Sequence, residues 1–313
     1  MEDYPRTILE FERRFSTEEG CREYLCRMRW PSGFRCPRCA HEVAWRTRRG
    51  QYRCTLCDFQ ISVTAGTVFQ DTKKPLPLWF RTMWYVTSQK QGVSALGLKR
   101  VLGLGSYETA WTWLHKLRRA MVRPGRDRLS GTVEVDEIYL GGVRKGAYGR
   151  EAGGKALVLI AAEQDGRKIG RIRLLRVADA SSASLLPAIE QCVEPESLVR
   201  TDGWSGYSPL EVHGYRHERV RKNADIGDNL LPRVNRVASL LKRWLTGTHQ
   251  GAVRNSHLDY YLDEYTFRFN RRTSRSRGKL FYRLVEQAVL IDPWTAEQIR
   301  GGNNQRPHHN ILG

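Results

Sequence analysis

The chain has 313 residues, 40% of them hydrophobic and 10% aromatic, which suffices for one sizeable core and smaller accessory domains. Its 52 Lys and Arg residues against 33 Asp and Glu give a formal net charge of +19, which favours a polyanionic partner because phosphate contacts release condensed counterions. No apolar run approaches the roughly 18 residues needed to cross a bilayer, which excludes a membrane-spanning helix.

The positive charge is concentrated near the N-terminus. Residues 20–130 contain 21 basic and 6 acidic residues, so we expect DNA to dock on the N-terminal third. Charge alone does not separate DNA from RNA, and a solubilising surface is the alternative. The chain opens with the acidic stretch MEDYPRTILEF and has no signal-peptide pattern, so we expect a soluble cytoplasmic protein without membrane contact.

The first 30 residues carry an amphipathic pattern that predicts one or two short helices, with an N-cap box from Ser16 to Glu19. Residues 31–68 contain two CxxC pairs separated by fourteen residues, and this spacing predicts a zinc ribbon. Its four ligands would be Cys36, Cys39, Cys54 and Cys57. Four thiolates leave no open position on zinc, so we expect a structural ion.

Between the CxxC pairs, a hairpin insert from Trp45 to Arg49 carries basic and aromatic side chains that are suited to touching DNA. Residues 69–123 then show three helical patterns, at Leu78–Ser88, Val93–Leu102 and Tyr107–Met121. The tight glycine turn before the third suggests a helix-turn-helix, in which Lys116, Arg118 and Arg119 would contact phosphate or a groove. The alternative is an ordinary three-helix unit with solvated charges.

Residues 130–292 predict a second domain in which strands come first and helices follow. The predicted strands are Thr132–Leu140, Ala156–Ala162, Ile169–Val177 and Ser197–Asp202, and the predicted helices are Ser184–Cys192, Leu231–Leu245, His257–Phe269 and Leu280–Leu290. This order describes an α/β fold with a mixed sheet flanked by helices. The tail at residues 301–313 has nothing to bury and is expected to be disordered.

Two of the predicted strands carry an aspartate in similar surroundings. Asp136 alternates with Val133 and Val135 along its strand, and Asp202 ends a short apolar strand before Gly203. Acids beside apolar strand residues are costly unless they are paired or bind metal, and hard cations such as Mg²⁺ would hold two carboxylates together. For either aspartate alone, an acid that caps a turn or pairs with arginine explains the pattern equally well.

Several ordered motifs in this region carry a family resemblance. They are VDEIYLGG at residues 135–142, RTDGWSGY at 200–207, NRVASLLKRW at 235–244, GTH at 247–249, HLDYYLDE at 257–264 and RFNR at 268–271. Together with the zinc ribbon they resemble the IS1595 family of insertion-sequence transposases, over about residues 15 to 290. The resemblance implies an RNase H-like catalytic domain. It also implies that the protein binds double-stranded DNA, both the transposon ends and the target, as a homo-oligomer associated with the nucleoid.

The resemblance also implies a site for Mg²⁺ or Mn²⁺ that supports DNA strand cleavage and strand transfer. By that resemblance Asp136 is the first metal ligand, Asp202 the second, and the third acidic position falls on Asn235, where many relatives carry glutamate. Lys242 follows seven residues later, on nearly the same helix face, where it would meet a DNA phosphate.

Three alternatives remain open from the sequence. A DNA-binding regulator without enzymatic activity would explain residues 31–121 but not the two strand aspartates. A nuclease of the same fold would cleave without joining. Within the site, Asp225 or Asp228 would replace Asn235 as the source of a third ligand.

Overall fold

The computed structural model describes residues 2–123, 125–141, 155–221, 229–251 and 253–302. The chain divides into two compact units, Met1–Arg123 with Ser274–Gly301, and Pro124–Thr273 with Gly302–Gly313. We call them the N-terminal unit and the sheet unit. No helix of the described residues is long and apolar enough to cross a membrane. Residues 303–313, most of the tail expected to be disordered, lie outside the described part.

The N-terminal unit combines helices with a small three-stranded sheet. Its helices are α1 (Ile8–Phe15), α2 (Glu18–Arg29), α3 (Leu76–Ser88), α4 (Ala95–Leu102), α5 (Tyr107–Ala120), α9 (Arg277–Ala288) and α10 (Ala296–Arg300). Its strands β1 (Ala44–Arg46), β2 (Tyr52–Cys54) and β3 (Gln60–Ile61) are antiparallel neighbours in that order. The cap that starts α2 is Thr17, whose side chain accepts from the Gly20 backbone N–H, so the predicted box at Ser16 was wrong by one residue.

An aromatic cluster around Phe281 joins α9 to the helices near the N-terminus. Phe281 is fully buried, and its ring centroid lies 5.4 to 5.8 Å from those of Phe11, Phe15, Phe80 and Trp84. The helix expected at Leu280–Leu290, within a domain extending to residue 292, therefore packs in the N-terminal unit. Its apolar periodicity predicts a buried face but carries no information about the partner of that face.

The sheet unit is a mixed α/β structure with five strands in the order β6-β5-β4-β7-β8. The strands are β4 (Thr132–Leu140), β5 (Ala156–Asp165), β6 (Lys168–Val177), β7 (Leu198–Thr201) and β8 (Arg216–Arg219). The first three are joined antiparallel, whereas β4, β7 and β8 pair in parallel. This sheet with its flanking helices is consistent with the expected RNase H-like fold.

Helices cover both faces of this sheet. On one face, α7 (Pro232–His249) and α8 (Leu258–Asn270) pack over β4, β5 and β6, and α6 (Ser182–Cys192) covers the other. Strand β4 contributes Val133 and Val135 to the α6 side, as their alternation with Glu134 and Asp136 predicts. The sequence analysis missed β8, because its residues RHER show no apolar alternation at this edge position.

We expect Phe281→Ala to lower the free energy of unfolding of the N-terminal unit by about 3–5 kcal/mol, since it empties the centre of the aromatic cluster. Hydrogen exchange resolved by peptide would measure the loss. Amides of β4, β5 and β7 should keep their protection, and Leu290→Ala, at a site 61% exposed, is the matched control. Equal loss of protection in both units would contradict the division at Thr273.

Candidate functional site

The four predicted zinc ligands converge in the N-terminal unit. The Sγ atoms of Cys36, Cys39, Cys54 and Cys57 all lie within 4.8 Å of one another, and the Cys36–Cys57 and Cys39–Cys54 pairs are each 3.6 Å apart. Tetrahedral zinc with Zn–S bonds of about 2.3 Å would space sulfurs by about 3.8 Å, so the group fits the ion.

Backbone amides support the charged form of the Cys36 thiol, whereas the pKa of Cys39, which the His41 backbone N–H lowers, is raised to about 12 by burial and the neighbouring thiols. Burial alone would raise the pKa of Cys36, but N–H groups of Arg38 and Cys39 and the Cys57 thiol lower it to about 7. A thiol must lose its proton to bind zinc, and the environment of Cys36 favours that step. His41 is not needed as a ligand and its ring bonds to Thr55, 2.8 Å away.

The hairpin formed by β1 and β2 carries an exposed basic and aromatic tip. Trp45 is 66% exposed, and Arg48 and Arg49 are exposed in the turn. Arg46, in contrast, forms a 2.5 Å ion pair with Glu19 of α2. Trp45, Arg48 and Arg49 are therefore exposed in the predicted DNA-contacting insert, and Arg46 is exposed but ion-paired.

Helices α4 and α5 form the expected helix pair, with Gly103 in the left-handed region at φ 61° where the turn begins. The expected phosphate-contacting face of α5 needs correction. Arg118 is 2% exposed, Arg119 stacks on Trp294 at 3.7 Å, and burial lowers the pKa of Lys116. These three cations support packing, and the exposed part of α5 is its first turn.

The two site aspartates lie at matching positions of neighbouring parallel strands. In the pairing of β4 with β7, Glu134 lies opposite Arg200, and the same offset relates Asp136 to Asp202, directly after Thr201. Burial, together with the nearby carboxylates of Glu137 and Asp202, raises the pKa of Asp136 to about 7. A divalent cation prefers oxygen ligands, and its charge would offset the repulsion between these carboxylates.

The loop after Asp202 is fixed by several contacts. The backbone N–H of Trp204 donates to the Asp202 carboxylate at 3.0 Å, and the indole N–H donates to the Ala180 carbonyl at 2.8 Å. Gly206 allows this approach, because a Cβ there would lie 2.4 Å from the same carbonyl oxygen. The order of glycines and tryptophan in the loop is thus explained by its geometry.

Tyr207 ties this loop to the central strand. Its hydroxyl donates to the Glu137 carboxylate at 2.5 Å, and its side chain is fully buried. Burial and the carboxylates of Glu137, Asp136 and Asp202 raise the pKa of Tyr207, so its hydroxyl stays protonated. Neither Tyr207 nor Glu137 was predicted as a site residue from the sequence; their signal was their position inside the two aspartate motifs.

Helix α7 carries the remaining candidates. Asn235 lies in its first turn, is exposed and donates to Asn229 at 2.7 Å, and Lys242 is exposed two turns later. The start of the helix is tied to β4, because Glu134 accepts from the backbone N–H groups of Arg233 and Val234 at 2.7 and 3.1 Å. Glu134 precedes Asp136 by two residues on the same face of the strand.

Known protein families match both the segment that contains the two aspartates and the segment that contains the four cysteines. Residues 128–270 match the ISXO2-like transposase domain and residues 16–60 match the transposase zinc-ribbon domain. The chain is 29% identical over 311 residues to the uncharacterized protein in transposable element ISH50 of Halobacterium salinarum, covering 88% of this chain and 98% of that protein. It is 28% identical over 116 residues to an uncharacterized transposase-like protein of Haemophilus influenzae, covering 36% and 93% respectively.

We expect one zinc ion per chain, and its removal by a chelator should unfold residues 31–68 without melting the sheet unit, because so small a module draws its folding free energy from the metal. Elemental analysis and hydrogen exchange would measure both effects. Cys39→Ser should lose the ion, whereas Cys26→Ser, outside the cluster, should keep it. Metal-free protein purified without chelator would contradict the assignment.

Proposed function

The chain belongs to the IS1595 family of insertion-sequence transposases, and from this premise we propose that it binds the ends of its element and catalyses metal-dependent DNA strand cleavage and strand transfer. The observation that carries the proposal is the position of Asp136 in β4 and of Asp202 directly after the end of β7, the parallel neighbour of β4. Carboxylate oxygens are the ligand type that Mg²⁺ or Mn²⁺ prefers; Asp136 is half-buried and Asp202 is exposed.

In the proposed site, Asp136 and Asp202 bind divalent ions, and the amide oxygen of Asn235 is the third protein ligand. Two such ions would lower the pKa of the attacking water or hydroxyl and stabilise the leaving oxygen. Tyr207 keeps Glu137 oriented beside Asp136 through its 2.5 Å hydrogen bond. Lys242 binds a DNA phosphate from the exposed side of α7.

The chemistry consists of two in-line displacements at phosphorus. In cleavage, water forms a P–O bond, the P–O3′ bond breaks, the leaving O3′ takes up a proton and water releases one. In strand transfer, the freed 3′-hydroxyl forms a P–O bond with a target phosphorus and releases its proton, while the target's P–O3′ bond breaks and the leaving O3′ takes up a proton. Each phosphodiester lost is replaced by another in the second step, so joining needs no external energy source and no covalent protein intermediate.

End binding is proposed to rest on the N-terminal unit. The exposed hairpin residues Trp45, Arg48 and Arg49 offer a ring and two cations to DNA. On DNA the chain is proposed to act as a homo-oligomer in the nucleoid. A DNA-binding regulator without enzymatic activity would not explain the two aspartates of the sheet unit. A nuclease of the same fold would cleave DNA but form no joined product.

We expect Asp136→Asn and Asp202→Asn each to abolish magnesium-dependent cleavage of the element's ends, since metal binding needs the charge, while end binding stays within about threefold. Gel-based cleavage, joining and binding assays on end-containing DNA would measure this. Asp165→Asn, at an exposed position of β5, is the matched control. Parental activity in either site variant would remove that aspartate from the site, and cleavage without joining would favour the nuclease.

For Asn235 we expect a ranking. Asn235→Ala should lower strand transfer at least tenfold because it deletes a ligand, whereas Asn235→Asp and Asn235→Glu should retain more activity and lower the magnesium concentration needed, because a carboxylate binds the ion more firmly. Rates across a magnesium titration would test the order. Asp225 and Asp228 lie outside the described residues; a harmless alanine at 235 with activity lost at either of them would transfer the ligand role there.

A further inference from the structure

A cavity of about 460 Å³ opens beside the Asp202 loop, on the α6 side of the sheet. It is lined by Tyr139, Asp179, Ala180, Ser181, Ser182, Trp204, Ser205 and Gly206. Its volume lies within the roughly 300–1,000 Å³ typical of sites for small organic molecules. Trp204 follows Asp202 by two residues and Tyr139 follows Asp136 by three, so β4 and the loop after β7, which carry the two aspartates, also line this cavity.

The aromatic wall of the cavity is held in one orientation. The indole N–H of Trp204 donates to the Ala180 carbonyl at 2.8 Å, so the ring's only polar atom is already satisfied. A side chain at Gly206 would meet both the Ala180 carbonyl oxygen, at 2.4 Å, and Trp204 Cδ1, at 3.0 Å. A pre-oriented ring loses little conformational entropy when a flat ligand stacks on it.

The charges around the cavity select the kind of flat ligand. Hydrogen bonds from the side chain and backbone N–H of Ser181 hold the pKa of Asp179 below its usual range, so this carboxylate is charged. An anion at the rim repels phosphate but accepts hydrogen bonds from amino groups. Adenine, cytosine and guanine offer such exocyclic amino groups, and their rings stack on aromatic side chains.

We propose that this cavity binds one unstacked nucleobase of the DNA strand whose phosphate reacts at Asp136 and Asp202. Trp204 stacks on the base and Asp179 accepts a hydrogen bond from its amino group. The inference rests on the proposed function, because it takes the reacting DNA as its ligand. Extracting a base adjacent to the scissile phosphate would fix the strand relative to the two aspartates, which is the alignment that an in-line displacement requires.

The test combines base deletion in DNA with substitution in the protein. The probe is a duplex carrying the element's end, in which each of the four nucleotides flanking the scissile phosphate is made abasic in turn. Affinity is measured without added Mg²⁺ or Mn²⁺ and without chelator, so that the structural zinc stays bound and no catalysis occurs. At one position the parent should lose affinity by about tenfold, which is in the range for one base stacked on one aromatic ring. Trp204→Ala should bind the intact duplex about tenfold more weakly than the parent does. Its affinity should not fall further when the nucleotide at that position is made abasic.

The control Trp204→Phe retains a ring and should remain sensitive to the same abasic site, and Trp45→Ala in the hairpin should weaken binding while keeping that sensitivity. Should Trp204→Ala fail to fold, Tyr139→Ala takes its place, with the same loss of sensitivity expected. The proposal would be overturned if the loss of affinity from Trp204→Ala added to the loss from an abasic site at every position. It would also be overturned if no abasic site lowered the affinity of the parent. Because affinity is measured without Mg²⁺ or Mn²⁺, an inactive protein that still loses its sensitivity on Trp204→Ala would separate this outcome from failure of the proposed catalysis.

Discussion

The carboxylate of Glu134 fixes helix α7 against the central strand of the sheet, and the positions of Asn235 and Lys242 depend on it. Glu134 is 2% exposed and accepts hydrogen bonds from two backbone N–H groups in the first turn of α7. It also forms an ion pair with Arg233 at 2.7 Å. A helix N-terminus carries partial positive charge, which a carboxylate offsets. Removing one member of a buried pair costs about 3–5 kcal/mol, so the helix start is strongly determined.

Strand β4 therefore places three acids in three different environments within four residues. Glu134 binds the start of α7, Asp136 faces Asp202, and Glu137 accepts from Tyr207 on the opposite face. The sequence predicted the bounds Thr132–Leu140 and the separation of the two faces, since a period of two needs only local alternation. It did not distinguish the acid that anchors a helix from the acid that faces another carboxylate, because the partners are remote in the chain.

The basic residues illustrate the same limit. A net charge of +19 and a basic third helix led to an expected DNA-contacting face, yet Arg118 is buried and Arg119 stacks on Trp294. Sequence periodicity marks which helix face is apolar, but a long arginine can lie along that face with its polar end satisfied. Likewise, the helix containing Phe281 was predicted as an element, but the partners Phe11 and Phe15 belong to the first helix, at the other end of the chain.

The Asp202 loop explains why a motif can be recognised from sequence before its residues can be given roles. Gly203 adopts φ 85°, and Tyr207 donates a hydrogen bond to Glu137. A Cβ at Gly206 would lie 2.4 Å from the Ala180 carbonyl oxygen. Each contact restrains the loop independently, and together they hold the Asp202 carboxylate beside Asp136. Under the proposed function this carboxylate is a metal ligand, which needs placement within about 0.5 Å that a free loop does not supply. The non-acidic residues of this motif are thus accounted for by the need to keep one carboxylate in place.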